Sequence, residues 1–143
     1  MAQFKTGNML EVFGIKIVTA CSYLTVEHTL FMGRGLAREL KVKVLGIDGI
    51  FGRMLLDNGG HLGRYGLMIC ERWGVLQVRR HYDEKADLDL VAFGMDKLKS
   101  FAKEAGYIIY LEYPAIHDGE LAKEEVAPSL KGLPDNVYVW EKE

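Results

Sequence analysis

The sequence predicts an α/β fold, and three features carry that expectation. Short runs rich in Val, Ile and Tyr alternate with segments whose apolar residues repeat at three and four, and glycine-rich stretches fall between them. Alternation of this kind builds a mainly parallel or mixed sheet, because parallel neighbours need a crossover connection long enough to hold a helix.

"GIKIVTACSYL" is β-branched and too short for a core helix with its own caps, which predicts a buried strand over Ile15–Ala20. In "FMGRGLAREL", Met32–Gly35 connect that run to a helix whose Leu36, Ala37 and Leu40 stand at helical spacing. "GIDGIFGRMLLDNGGHLGRYG" places seven glycines in twenty-one residues, a density that predicts loop with at most one short helix over Phe51–Leu56. Two strands follow, Leu67–Arg72 and Val75–Arg80, with a break at Gly74. "ADLDLVAFGMDKLKSFAKEAG" gives the clearest helix: Asp87 is the N-cap, Leu88, Val91, Met95, Leu98, Ala102 and Ala105 share a face, and Gly106 ends it. "YIIYLEY" reads as a central strand and "GELAKEEVAPSL" as a helix running into Pro128. "NVYVWE" is the last strand, after the turn "GLPDN".

Composition bounds the function. The 143 residues, 49% hydrophobic, suit one domain, 1–143, with a real core. A net charge of -2 gives no basic field, so nucleic acid is not the expected partner. Cys21 and Cys70 lie in apolar runs, a placement that suits free thiols in the cytoplasm. No window approaches the ~20 apolar residues of a membrane span, and "MAQFKTGN" lacks the apolar core of a signal peptide. A cytoplasmic protein without a membrane partner is expected. His28, His61, His81 and His117 show no metal-ligand spacing, so no metal or cofactor is expected.

Ligands of alternating α/β sheets bind outside the carboxyl ends of the strands. Three segments have that placement: Thr6–Leu10, Ala20–Gly35 and Tyr113–Leu121. Backbone amides around Gly33 and Gly35, at a helix start, suit an anion. The usual phosphate codes are absent, since Leu36 and Ala37 follow Gly35 where a P-loop needs Lys and Ser or Thr, and Arg38 replaces the third glycine of a dinucleotide fingerprint. A purely structural turn is the alternative. Cys21 reads as pocket lining or as a reactive thiol, and His117 with Asp118 as a possible acid–base pair.

As a whole, "GNMLE…IKIVTACSYLTVEHTLFMGRGLAREL" resembles the opening of a macrodomain, the ADP-ribose-binding module. "YPAIHDGELAKEEVAPSLKGLPDNVYVWE" resembles the closing part of compact bacterial and phage macrodomain-like proteins. The resemblance implies a three-layer α/β/α sandwich with a mixed, mainly parallel central sheet, and binding of ADP-ribose or a derivative, with an ADP-ribosylated macromolecule as a further partner.

By resemblance, the acid that binds the adenine amino group falls on Asn8, beside Met9, and a neutral amide oxygen there still accepts. The segment that orients the distal ribose falls on Val18–Ser22, with Ala20, Cys21 and Ser22 at the ligand and a thiol where relatives carry asparagine. The glycine-rich first loop falls on Met32, Gly33, Arg34, Gly35 and Ala37, approaching the diphosphate and distal ribose. The second loop falls on Pro114, Ala115, Ile116, His117, Asp118, Gly119 and Glu120, where only Gly119 keeps the small-residue character. Some hydrolytic members use a lysine near the position of Arg79 and Arg80. Arginine stays protonated and cannot attack, so that mechanism is not expected here. Hydrolysis of an ADP-ribosyl link or of ADP-ribose-1″-phosphate, assisted by Asp118 or His117, is the alternative to binding. A ligand-free scaffold for a protein partner is the third reading.

Overall fold

The computed structural model describes residues 2–58, 63–116 and 120–141. Strand β2 (Ile15–Ala20) shows why the fold has three layers, because its apolar side chains go to both faces of the sheet. Ile17 joins a core under α3 (Leu88–Ala105) and α4 (Lys123–Leu130), where Val91, Met95, Leu98, Val126 and Leu130 are buried. Val18 and Ala20 join a second core under α1 (Gly35–Lys43) and α2 (Ile47–Asp57), built from Leu36, Leu40, Ile47, Phe51 and Leu55. The result is an α/β/α sandwich.

The sheet is completed by β1 (Gln3–Thr6), β3 (Leu67–Cys70), β4 (Trp73–Gln77), β5 (Ile109–Glu112) and β6 (Val137–Glu141), in the order β1-β6-β5-β2-β4-β3. Every neighbouring pair is parallel except β3 with β4. From β2 the chain passes through α1 and α2 on one face to the edge strand β3 and turns back into β4 beside β2. From β5 it crosses to β6 through α4 on the other face. The chain therefore turns in opposite directions after β2 and β5, which are hydrogen-bonded neighbours.

The long helix α3 begins and ends where the sequence places it: the Asp87 carboxylate accepts the Asp89 amide at 2.8 Å, and Gly106 takes φ +70° at the C-cap. Its buried stripe is shifted at the N-terminus, with Leu90 inside and Leu88 exposed. Other expectations need correction. Strand β1 was not expected; all four of its residues are exposed at the sheet edge, so it leaves no apolar alternation to read. The turn between β3 and β4 falls at Glu71 and Arg72, with Glu71 at φ +58°. Gly74 lies inside β4, where an added Cβ would meet Ile17 Cγ1 at 3.0 Å, so this glycine serves close packing and not a break. Helix α4 begins at Lys123 and contains Pro128 in its last turn.

The glycine-rich middle also folds more than expected, since α2 runs from Ile47 to Asp57 and includes Gly49 and Gly52. A Cβ on Gly52 would lie 2.1 Å from the His28 carbonyl oxygen, whereas one on Gly49 would meet nothing within 4 Å. Gly52 lets the loop after β2 lie directly on the helix; Gly49 has no such task. Gly52→Ala should therefore cost about 2 kcal/mol by forcing backbone apart, and Gly49→Ala should gain about 0.5 kcal/mol from helix propensity. Urea denaturation of the two variants checks both signs.

Candidate functional site

The opposite turns of the chain after β2 and β5 open a crevice at their carboxyl ends, the usual ligand position in such sheets. The pairing shows where it opens. Strands β2 and β5 stay in register through Ile17 and Leu111, while β2 continues along β4 to Ala20 opposite Gln77. Beyond Ile17 the free edge of β2 needs another acceptor. Glu112 supplies it: its carboxylate takes the Thr19 amide at 2.8 Å and the Thr19 hydroxyl at 3.2 Å.

Around this point lies a cleft that encloses about 370 Å³ of space, part of it open to solvent. Thr19, Ala20, Cys21 and Glu112 form the floor, and Met32, Gly33, Arg34, Leu36 and Ala37 form one wall. Phe31, Arg79 and Tyr82 close the other side. Gly35 begins α1 with φ +57°, a left-handed conformation that suits glycine. No side chain caps this helix, so its first amides have no side-chain acceptor, and Leu36 and Ala37 of its first turn line the cleft. A Cβ on Gly33 would meet the Phe31 ring at 2.5 Å, and that ring stacks on Tyr82 with centroids 4.3 Å apart. The glycine thus admits an aromatic lid over the loop. Tyr23 and His81 pack against the same pair.

A buried polar network holds the floor. Gln77, fully buried, accepts the Tyr65 amide at 2.8 Å and donates to the Gly63 carbonyl at 2.8 Å. Tyr65 in turn donates its hydroxyl to the Cys21 carbonyl at 2.9 Å. Ser22 is tied to β4's extension by two bonds to the Arg80 carbonyl, from its amide at 3.1 Å and its hydroxyl at 3.3 Å. Arg79 is buried and donates to the Glu84 carbonyl at 3.3 Å. Burial pushes the Cys21 thiol up from its ordinary pKa, partly opposed by backbone hydrogen bonding and the Arg79 charge, and pushes the Tyr65 phenol well up.

Of the residues singled out from sequence, Ala20, Cys21, Met32, Gly33, Arg34 and Ala37 come together in this cleft. Gly35 sits at the helix start behind them, and Ser22 follows Cys21 at the floor's edge. Asn8 lies at the carboxyl end of β1, on the same edge of the sheet, and its side-chain oxygen accepts the Leu10 amide at 3.1 Å. Met9 is fully buried beside it, so any contact it offers a ligand comes from its backbone. Pro114 and Ala115 are buried, with Ala115 at φ +67°, and Ile116 packs partly on the α3 core. None of these five side chains lines the cleft described. His117, Asp118 and Gly119 lie outside the described residues, as does His61. Among the described residues no group of three His, Cys, Asp or Glu side chains could hold a metal ion, and no helix is long and apolar enough to cross a membrane.

Phe31 and Leu36 lie within the segment from Ala20 to Ala37 that the sequence singles out, whereas Thr19, Tyr82 and Glu112 lie outside every candidate segment. Glu112 carried a signal: it is the lone charge in the apolar run "YIIYLEY", at the strand end that faces ligands.

The six-stranded sheet with helices on both faces is the macrodomain fold. Solved structures similar over the whole chain include the macrodomain of Thermus aquaticus DarG, with TM-score 0.74, 20% identity, and 100% and 98% of the two chains covered. The macrodomain of Mycobacterium tuberculosis DarG aligns with TM-score 0.73, 16% identity and coverage of 99% and 97%. Thermosipho africanus DarTG in complex with ADP-ribose aligns with TM-score 0.77 and 14% identity, over 99% of this chain and 42% of that one. No protein-family model and no curated protein matches the sequence.

Since Cys21 and Tyr65 hold their protons more tightly folded than unfolded, the stability they contribute is full below the free thiol value of 9.0 and is lost as pH rises through their folded values. The contribution of these two groups is level through neutral pH and falls in the alkaline range, so the alkaline fall of the denaturation midpoint should be smaller in Cys21→Ala than in the unaltered protein.

Proposed function

We propose that this chain binds ADP-ribose or a derivative in the cleft at the carboxyl ends of β2 and β5. The observation that carries the reading is the start of α1 at Gly35, which no side chain caps, with Gly33 just before it and its first turn lining the crevice where the crossovers diverge. Open amides and a positive dipole end suit a diphosphate. The fold adds support, since a similar structure, that of Thermosipho africanus DarTG, is in complex with ADP-ribose.

The charges suggest how the ligand lies. A diphosphate beside Glu112 would be repelled, whereas ribose hydroxyls can donate to that carboxylate. The diphosphate therefore belongs against Gly33–Ala37 and Arg34, the distal ribose over Cys21 and Glu112, and the adenine toward Asn8, whose oxygen retains a second lone pair. Turnover is the second reading, favoured by Glu112 itself, which gives the cleft a carboxylate able to take a proton from an attacking water. His117 and Asp118 are the sequence's further acid–base candidates. Arg79 lines the cleft near the position where some relatives place a nucleophilic lysine, and its permanent charge makes it an anion partner instead.

Calorimetric titration of ADP-ribose into the protein should give saturable heat, and Gly33→Glu should weaken it about a hundredfold or more, because its side chain collides with the Phe31 ring, displaces the first loop and adds a negative charge beside the diphosphate. Bound ADP-ribose should also slow alkylation of Cys21 by iodoacetamide. No heat from a protein with an intact thermal transition would overturn the assignment. Product formation from an ADP-ribosylated substrate, lost in Glu112→Gln with binding kept, would establish the second reading.

A further inference from the structure

Strand β1 ends the sheet with an open edge. Among the described residues its sole strand partner is β6, in a parallel ladder that runs without a bulge from Gln3 opposite Tyr138 to Thr6 opposite Glu141. The Gly7 amide donates to the Glu141 carbonyl at 3.1 Å, and successive residues of a strand turn their backbone groups to opposite sides. Gln3 and Lys5 therefore turn their N–H and C=O groups to β6, and Phe4 and Thr6 turn theirs outward. Edge strands usually carry a device against further pairing, such as a proline, a bulge or a charge held at the edge. Strand β1 has none of them. Its one charge, Lys5, leans over the Tyr138 ring at 5.7 Å, on the face of the sheet away from Phe4. Phe4 is 60% exposed, its ring 6.5 Å from that of Tyr113 at the side of a concavity of about 1010 Å³ that opens to solvent.

We propose that β1 is the contact between two copies of this chain, joined antiparallel across a two-fold axis into one continuous sheet. The strand's own pattern selects the copy as occupant and fixes the register. A two-fold axis normal to the sheet keeps each face on its own side, so residues opposite one another share a face. With Phe4 opposite Phe4, Ala2 meets Thr6, and the outward groups of Phe4 and Thr6 all find partners. Gln3 then stands opposite Lys5, so no like charges meet, and the exposed Phe4 rings cover one another. A two-residue slip one way sets Lys5 against Lys5, and the other way leaves Thr6 unpaired. The copy thus supplies by symmetry an aromatic ring for Phe4 and a neutral neighbour for Lys5, which a strand of arbitrary sequence does not. One short strand a side falls below the area of a stable dimer, so the association is weak and reversible. Because the strands run antiparallel, the two clefts point to opposite ends of the joined sheet.

Sedimentation velocity on the full chain without an amino-terminal tag, from about 10 µM to about 1 mM, should show the boundary move from monomer toward dimer as concentration rises. Phe4→Pro removes an outward donor that the β6 ladder does not use, and should weaken the association about tenfold or more. Gln3→Glu sets a carboxylate opposite Lys5 and should strengthen it several-fold, whereas Gln3→Lys should weaken it several-fold, and added salt should shrink both effects. The two Gln3 variants read the register itself and leave the core untouched, so a misfolded Phe4→Pro protein does not decide the outcome. A chain that stays monomeric over the whole range overturns the proposal, including the case in which a strand of another protein covers β1. A dimer indifferent to all three variants also overturns it, since its contact lies elsewhere.

Discussion

The parting of β2 and β5 organises the molecule. Two parallel neighbours send their crossovers to opposite faces, and the ladder between them stops at Ile17 and Leu111, where a crevice opens at their carboxyl ends. An unpaired strand amide in a half-buried position costs about 1 to 3 kcal/mol. The Glu112 carboxylate removes that cost by taking both donors of Thr19. The same bond fixes a negative charge at the floor of the crevice. One side chain thus completes the sheet and sets the electrostatics of the site.

The walls depend on how that opening is braced. Met32, Leu36 and Ala37 belong to the core beneath α1 and α2, so the wall that presents the helix amides is packed from behind by Leu40 and Phe51. On the other side, Gln77 and Tyr65 convert a buried loop into a support for the Cys21 carbonyl. Fully satisfied polar groups in a core are stiff as well as stable. The cleft is therefore built on packed elements, and the stacked aromatic pair Phe31 and Tyr82 forms its rim.

Much of this was legible in the residues, for identifiable reasons. Central strands and α3 show in the sequence because burial writes a pattern into it: Ile15–Ala20 is β-branched and mostly apolar, interrupted only by Lys16 and Thr19, and α3 repeats at three and four between Asp87 and Gly106. Strand β1 could not be read, because Gln3–Thr6 is exposed and its place is set by pairing with β6. Helix α2 was hidden by its glycines, one of which answers to a carbonyl twenty-four residues earlier in sequence, His28. The first loop of the site was visible through Gly33 and Gly35. The far wall was not, since Tyr82 and Arg79 reach the cleft only through the pairing of β2 with β4, a relation between segments and not within one.

The most direct test is the amide spectrum of the 15N-labelled protein titrated with ADP-ribose. The account predicts that the largest shifts fall on Thr19, Cys21, Gly33, Gly35 and Leu36, with Phe13 and Arg72 unmoved. Shifts confined to any other face, or none at saturating ligand, would contradict it.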